Sequence, residues 1–574
     1  MKHRYSPPLA EQLFVLEKVN HWEALFALPA FAHADGDVAQ AVLSAGAEFT
    51  RGVLGPLNSV GDEHGCRLEN GRVITAPGFP QAYQEFTAGG WPGLDMPEKY
   101  GGQDLPLSVQ VAFAEMVNGA CVSFGMLPIM LRAGSRLLLD HAEPALAEKI
   151  VPKLVSGEWA ATICITEPHA GSDVGRLRTQ AVPRSDGTYA LTGTKIFISF
   201  ADQDITDQII HFVLARTPNG PAGTQGISLF VVPARRFEDG VINGVSVSRL
   251  EKKMGLKASP TCVFNLEGAV GWRIGPECQG LKCMFTMVNL MRLEVSIQGV
   301  ALAQAATDRA LTYAGERLQG GRADQPPVPI NTHADVQRIL MIMQARTRAM
   351  RALVFQTAHW LDLARAAKDE KQRNEAKQLA ETLLPVCKTC GAEAAFEVSS
   401  MAVQVFGGHG YVHDGGVEQY VRDSRVFGIY EGTSGIQSLD LLTRKVLRDG
   451  GARYRLLTDT MRTDVERHSS NPKLSVLAAA LEDGIGCLDE CTQWLQKRVA
   501  AHSRDAEWAA TDYLQLIGLV AGAWMWLRMA AAADTGEEED AQRHMLAHFY
   551  FNWLLPQSFV YEARIRQGEP KAVG

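Results

Sequence analysis

Cysteine is scarce, with ten in 574 residues, too few and too scattered for a disulfide scaffold. Cys387 and Cys390 stand three apart and Cys487 and Cys491 four apart in helical patterns, with no second pair at zinc-site spacing, so all four are expected in helix packing. A long apolar run is missing too. Leu514–Leu527 falls short of the roughly 18 residues that cross a bilayer and includes Gln515, so a buried helix and no stable membrane insertion are expected. The opening MKHRYSPPLAEQ lacks the apolar core of a signal peptide, which makes a reducing cytoplasm the expected location. Nor is positive charge in excess. The net charge is -8, and residues 451–574 carry 13 Lys plus Arg against 17 Asp plus Glu, which disfavours nucleic acid as a partner.

What is present is the composition of an ordinary globular chain, 46% apolar and 21% charged. The length calls for about two to four domains. After an N-terminal extension, 1–36, helical periodicity with loop punctuation fills 37–158, as in SVQVAFAEMVNGA. Over 159–280 the texture changes to short β-branched runs broken by Gly, Pro and Asp-Gly turns (TYALTGTKIFIS, QIIHFVLAR, GISLFVVP, SPTCVFNLEG), which predicts a β domain. Long helical segments return over 281–450 and predict four long helices in a bundle. Residues 451–574 read as a further helical domain, with Trp494, Trp524, Trp526 and Trp553 as expected core anchors. The fold class is therefore α+β: helices, a β domain, a four-helix bundle, and an extra C-terminal helical domain.

Four segments carry chemistry. Residues 429–437 read IYEGTSGIQ, and Glu431 is a lone carboxylate on a Gly-flanked loop, placed for proton abstraction. Thr433 and Ser434 offer hydroxyls and amides at the start of a helix predicted over Ile436–Val446; the bland alternative is a helix cap with an acidic neighbour. Residues 163–175, ICITEPHAGSDVG, follow a strand and supply glycines, hydroxyls and amides for a flat polar ring and a phosphate. In LTGTKIFIS, simple alternation puts Phe197 and Ser199 on one sheet face, suited to stacking on a cofactor. VQVFGGHGYVHDGG packs glycines at a helix end where the backbone could approach a diphosphate. His409 and His413 are four apart, but Gly408 and Gly410 interrupt the helix a metal pair would need, and no metal is expected.

Together TEPHAGSD, GTKIFIS, KMGLKASPT, VQVFGGHGY and RDSRVFGIYEGTSGIQ closely resemble the acyl-CoA dehydrogenase family of flavoproteins, over roughly residues 37–450. RYSPPLAEQLFVLEKV and the extra C-terminal region resemble its long bacterial branch, which includes 3-methylthiopropanoyl-CoA dehydrogenases. The resemblance implies FAD as cofactor. Ile165 and Thr166 would contact its isoalloxazine ring, Ser172 its pyrophosphate, and Phe197 and Ser199 the ring, although relatives more often carry Trp at the first position. Arg317 would cross to the FAD diphosphate of a partner subunit, in a homodimer or dimer of dimers. Relatives follow that arginine with Thr-Phe-Gly, where Gln319 and Gly320 stand here. Gln404 and Gly408 match the segment near the adenosine half, and Thr433 follows the base; Gly435 stands where many relatives carry Gln.

Substrate contacts are implied for Ser172, Arg292, Tyr430 and Gly432, with Asn289 where relatives often have Asp. Some family members place the base directly before that arginine, here the inert Met291, which leaves Glu294 as the rival to Glu431. By resemblance, Glu431 takes the α-proton of an acyl-CoA thioester as the β-hydride passes to flavin N5. The product is a trans-2-enoyl-CoA, and electrons leave to an electron-transferring flavoprotein. The Glu431 amide and a flavin ribityl hydroxyl would hold the charged thioester oxygen. Rival readings are an oxidase of the same fold, a DNA-associated flavoprotein, and a flavin-bearing subunit without turnover.

Overall fold

The computed structural model describes residues 5–500, 504–533, 536 and 538–570. Helices α1 (Gly36–Phe49) and α2 (Phe79–Ala88) are separated in sequence by an antiparallel hairpin of β1 (Arg67–Glu69) and β2 (Arg72–Ile74). This short hairpin falls within the loop punctuation of the helical domain expected over 37–158. Asn70 and Gly71 form its two-residue turn with φ of 50° and 76°, the left-handed pair that a tight hairpin requires. Next come α3 (Leu107–Gly125), which is kinked at Cys121, then α4 (Pro128–His141) and α5 (Pro144–Val155), both with proline in the first turn, where its missing N–H costs nothing.

The β region runs through β3 (Ala160–Cys164), β4 (Gln180–Pro183), β5 (Tyr189–Ser199), β6 (Ile209–Arg216), β7 (Ile227–Pro233), β8 (Val245–Leu250) and β9 (Thr261–Ile274). Long helices follow: α6 (Gly280–Glu316), α7 (Ala334–Ala366) and α8 (Glu370–Phe406). The fourth bundle helix is short, α9 (Ser434–Leu439) continuing as a π-helical turn to Leu447, and it follows a run of short helical turns between Gly408 and Gly428. The C-terminal region adds α10 (Ala452–His468), α11 (Ser475–Ala500), α12 (Asp505–Ala532), α13 (Glu538–Phe549) and α14 (Ser558–Gln567).

The chain packs as two units. One holds 48–105 and 120–294, including the seven-stranded sheet in the order β3-β6-β4-β5-β9-β7, with β8 beside β9 and a β6–β7 pairing that closes the ring. β3 and β4 run parallel to β6, and the other pairings are antiparallel. Leu191, Val213, Phe230, Phe264 and Leu266 fill its interior. β7 is buried along its whole length and β6 along nearly all of it, which explains their continuous apolar sequences.

The other unit collects 1–47, 106–119 and 295–574. Here α6 and α8 cross backbone to backbone: a Cβ on Gly299 would lie 2.3 Å from the Gly391 carbonyl oxygen. Fully buried Arg351 on α7 reaches Glu115 on α3 at 2.6 Å and Gln304 on α6 at 2.6 Å, so three helices share one guanidinium. α12 is buried along most of its length. Its Trp526 indole donates to the Ala345 carbonyl at 3.0 Å, and Trp524 donates to Asp464 at 2.8 Å while stacking on Trp360. Trp494 is only half-buried. Trp553 corrects the expectation of a core anchor. It stacks on Phe549 and stays 57% exposed, while Phe551 and Leu554 of the same turn point inward.

Candidate active site

In the sheet-bearing unit a buried ion pair shapes the TEPHAGSD loop. Lys195, on β5 and fully buried, donates to Glu167 Oε1 at 2.8 Å, to the Ile165 carbonyl at 3.1 Å and to the Leu214 carbonyl at 2.7 Å. Glu167 also accepts from the Arg178 and Thr179 amides and the Thr179 hydroxyl at 2.7, 3.0 and 2.6 Å. Burial opposes the charge on Glu167, but Lys195 and these donors hold its carboxyl below the usual carboxylate range. The next rung is backbone: the Ile196 amide donates to the Thr166 carbonyl at 2.9 Å. Ile165 and Thr166 are thereby laid along β5 beside Phe197 and Ser199.

Simple alternation does not account for that face. Between Lys195, paired with Phe264, and Ile198, paired with Cys262, β5 carries an extra residue, and Phe197 sits in this bulge at φ 60°. Its ring is 60% exposed while Lys195 and Ile198 both point into the core. Ser199 is half-buried, and Ser172 lies exposed beyond the tight Glu167–Ala170 turn.

In the helical unit, Glu431 is half-buried with φ 54°, a left-handed backbone rare for a residue with a side chain. It is not the helix cap. Thr433 caps α9, its hydroxyl accepting from the Ile436 amide at 3.3 Å. Three side chains fix the loop: Gln437 donates to the Glu431 carbonyl at 3.0 Å, fully buried Lys388 on α8 donates to the Gly432 carbonyl at 2.7 Å, and the Tyr430 hydroxyl donates to buried Gln298 on α6. Tyr430 also stacks on Phe427, with centroids 5.9 Å apart. The structure thus brings Tyr430, Glu431, Gly432 and Thr433 together on one rigid loop.

Gln404 and Gly408 lie elsewhere in this unit, at the far end of α8. At 1.5 Å per residue Gln404 is roughly 24 Å along the helix from Lys388, and Gly408 follows just past the helix end. Arg317, exposed just past α6, belongs with them: its amide donates to the Tyr313 carbonyl, and Tyr313 stacks on Phe406 at 4.0 Å. Gln319, the departure from the family pattern, accepts from Arg317 at 3.4 Å. In the sheet-bearing unit, Arg292 is buried under the ring of Phe285, and Glu294 is 7% exposed with a carboxylate oxygen 3.9 Å from the Arg132 guanidinium. Arg132 in turn binds Asp95 at 2.7 Å, so Glu294 faces a structural ion pair. His409 lies 3.5 Å from the Tyr313 hydroxyl, and His413 pairs with Glu418 at 2.6 Å.

Sequence reasoning passed over Lys195, Glu167 and Lys388. The two lysines had a signal: one leading into the apolar strand residues of GTKIFIS, and one inside the apolar helix LLPVCKTCGAEAA, must be paired if buried.

Family models for the N-terminal, middle and C-terminal domains of acyl-CoA dehydrogenase match residues 70–158, 162–269 and 278–446. A fourth, described as acetyl-CoA dehydrogenase C-terminal like, matches 457–573. The chain belongs to the acyl-CoA dehydrogenase family, oxidoreductases that act on the CH–CH bond of an acyl-CoA with FAD as cofactor. It is similar to the 3-methylmercaptopropionyl-CoA dehydrogenase of Ruegeria pomeroyi, with 38% identity over 548 residues, 94% of this chain and 93% of that one. Among solved structures, Caenorhabditis elegans ACDH-11 in complex with C11-CoA matches with a TM-score of 0.78 and 21% identity, covering 96% of this chain and 92% of that one. The acyl-CoA dehydrogenase complexed with FAD from Bacillus anthracis matches at 0.76 and 20%, covering 98% and 92%. At these identities the two structures speak for the fold.

The residues present fit FAD. A Cβ at Gly171, Gly407 or Gly408 would meet no protein atom within 4 Å, so the Gly-rich loops border open space that a cofactor could occupy. An exposed aromatic at Phe197 and an exposed hydroxyl at Ser172 stand beside the first of them.

Proposed function

We propose that the chain oxidises an acyl-CoA across its α and β carbons to a trans-2-enoyl-CoA, with Glu431 as the base. Bound FAD supplies the hydride acceptor. Ile165, Thr166, Ser172, Phe197 and Ser199 would hold its flavin half, and Thr433 would stand beside the base. Glu431 takes the α-proton on its carboxylate. A thioester α-proton is too weakly acidic for a carboxylate acting alone, so the Glu431 N–H is assigned to the oxygen on which charge develops. Tyr430 and Gly432 would line the acyl group, and Ser172 and Arg292 the pantetheine path. Exposed Arg176 and Arg178 border a recess of about 580 Å³ after the Gly-rich loop, a charge suited to the CoA phosphates.

The distance of Arg317, Gln404 and Gly408 from the Glu431 loop suits contact with the FAD of a second subunit, hence a homodimer or a dimer of dimers. Electrons would leave to an electron-transferring flavoprotein, in the cytoplasm. The observation that carries the assignment is the left-handed Glu431, which its surroundings hold in place although it caps nothing.

The test is Glu431→Gln, which keeps size and most hydrogen bonding but removes the basic lone pair. FAD and acyl-CoA should still bind, while flavin reduction in anaerobic stopped-flow slows by at least roughly 10²- to 10⁴-fold. Reduction at the parent rate would refute the assignment.

A further inference from the structure

Two adjacent residues carry the strain of the loop: Glu431 at φ 54° and Gly432 at φ 89° are both left-handed. Each presents its carbonyl to a side chain, Glu431 to Gln437 at 3.0 Å and Gly432 to Lys388 at 2.7 Å. The two bonds fix different things. Gln437 lies six residues on, in α9, so its bond closes the segment on itself and moves with it. Lys388 belongs to α8 and ties the loop to the bundle, as does buried Gln298 of α6, which accepts from the Tyr430 hydroxyl. Glu431 is thus flanked in sequence by one tether to each helix.

Both tethers start where the two helices are closest. Gln298 is next to Gly299, and Lys388 is just under one turn before Gly391. A Cβ on Gly299 would lie 2.3 Å from the Gly391 carbonyl oxygen, and one on Gly391 would lie 3.1 Å from that of Ser296. Backbone contact therefore sets the spacing of the tethers, and close-packed interiors pass a displacement on instead of absorbing it.

We propose that Lys388 and Gln298 are positioning residues for the base, holding Glu431 between them from the α6–α8 crossing. The proposal rests on the reading of Glu431 as the base. A left-handed backbone at a non-glycine residue persists only where the surroundings over-determine it. The bond to Gln437 alone would leave the segment free to swing as a unit, and the two outside tethers remove that freedom. Lys388 is fully buried, and taking an ammonium out of water is offset only by bonds of good geometry. Its bond to the Gly432 carbonyl is of that kind, charge-assisted and roughly twice as strong as a neutral one.

The experiment compares Lys388→Met, Gln298→Met and Lys388→Met/Glu431→Gln with Glu431→Gln, each as the full-length FAD-loaded enzyme. The probe is whichever of butyryl-, octanoyl- and 3-methylmercaptopropionyl-CoA reduces the parent fastest. Flavin reduction at saturation, KM, FAD content and melting temperature are measured together. Lys388→Met keeps the stem and loses the donor; it should slow reduction about 10- to 100-fold, since a misplacement of about 1 Å can cost about 10²-fold. Gln298→Met should slow it about 5- to 30-fold, the loss of one hydrogen bond. In both, KM should stay within about twofold and FAD content should be unchanged. Against the Glu431→Gln background, Lys388→Met should slow reduction by less than about a further twofold, because a positioning residue acts only through the base it holds. A lysine that served packing alone would cost the same factor in both backgrounds. If Lys388→Met reduces at the parent rate, or costs its full factor again beside Glu431→Gln, the proposal is overturned and the base stands. If Glu431→Gln reduces at the parent rate, the base assignment fails and the proposal with it. Should Lys388→Met not fold, Gln298→Met decides: slower reduction at unchanged KM supports the tethers, and the parent rate overturns them.

Discussion

Replacing Lys195 by Met tests whether the buried pair with Glu167 builds the flavin-side loop. Methionine matches the length of the lysine stem but donates nothing, so three oxygens lose their donor: Glu167 Oε1, the Ile165 carbonyl and the Leu214 carbonyl. Removing one partner of a buried ion pair costs about 3–5 kcal/mol. Glu167 keeps two amides and a hydroxyl, which places the loss at the lower end, about 3 kcal/mol. That should speed amide exchange in Thr194–Ser199 by roughly 10²-fold, measured by mass spectrometry. Since the Ile165 carbonyl is freed as well, FAD should be lost on gel filtration. Glu167→Gln/Lys195→Met should recover part of the stability, because no charge is then left buried.

The pH dependence follows from the sign of the shift. A carboxyl held low in the folded state contributes stability that is present above its unfolded value, near 4.5, and lost as pH falls through its folded value. The parent should therefore lose this contribution only below about pH 4.5, and Lys195→Met should show a smaller acid loss. Parent-like exchange and full FAD retention in Lys195→Met at pH 7 would refute the reasoning.

Glu294→Gln should leave flavin reduction within about tenfold of the parent, a barrier change under about 1.4 kcal/mol, because Glu294 faces Arg132; an inactive variant in stopped-flow would move the base to α6. Arg317→Gln should weaken FAD retention in a protein that light scattering shows as at least a homodimer; a monomer with full FAD occupancy would contradict the cross-subunit reading. Asp308, whose carboxyl burial pushes up to about 6, costs stability as pH rises from about 4 through 6, so Asp308→Asn should raise the melting temperature at pH 8 and leave it unchanged at pH 4.

Much of the fold was legible because periodicity is a local property. The strands of 159–280 and the long helices after 280 announced themselves in alternation and in 3.6-residue repeats. The hairpin at Arg67–Ile74 was legible too, in an Asn-Gly pair between alternating residues, but its strands are only three residues each and were absorbed into the helical background. What sequence could not supply depends on partners distant in the chain. The bulge at Phe197 is a mismatch between β5 and β9, which neither strand encodes alone. Lys388 and Gln515 are single polar residues in otherwise apolar helical stretches, and only the packing of the chain gives them their acceptors, the Gly432 carbonyl and the Glu393 carboxylate. Trp553 failed for the converse reason, since a large aromatic is a core residue only if its helix turns it inward.

Backbone strain links the motif strings to chemistry without reference to family. Among the described residues, eight that are not glycine have positive φ: His21, Asn70, Asp104, Phe197, Phe200, Leu256, Cys278 and Glu431. Asn70 is a hairpin turn and needs no further cause. Phe197 and Leu256 are bulky side chains inside GTKIFIS and KMGLKASPT, Phe200 directly follows the first of these, and Glu431 is in EGTSG. Bulky residues at such angles cost free energy that a glycine would relieve. At two of these positions the side chain is also the group that chemistry would use: an aromatic face 60% exposed at Phe197, and a carboxylate at Glu431. Strain kept where glycine would be easier, at a side chain that the protein's own core does not need, is best explained by a requirement for that side chain. Backbone strain also separates the two candidate bases. Glu294 lies in an unbroken helix beside an arginine and needs no function to account for it. Glu431 does.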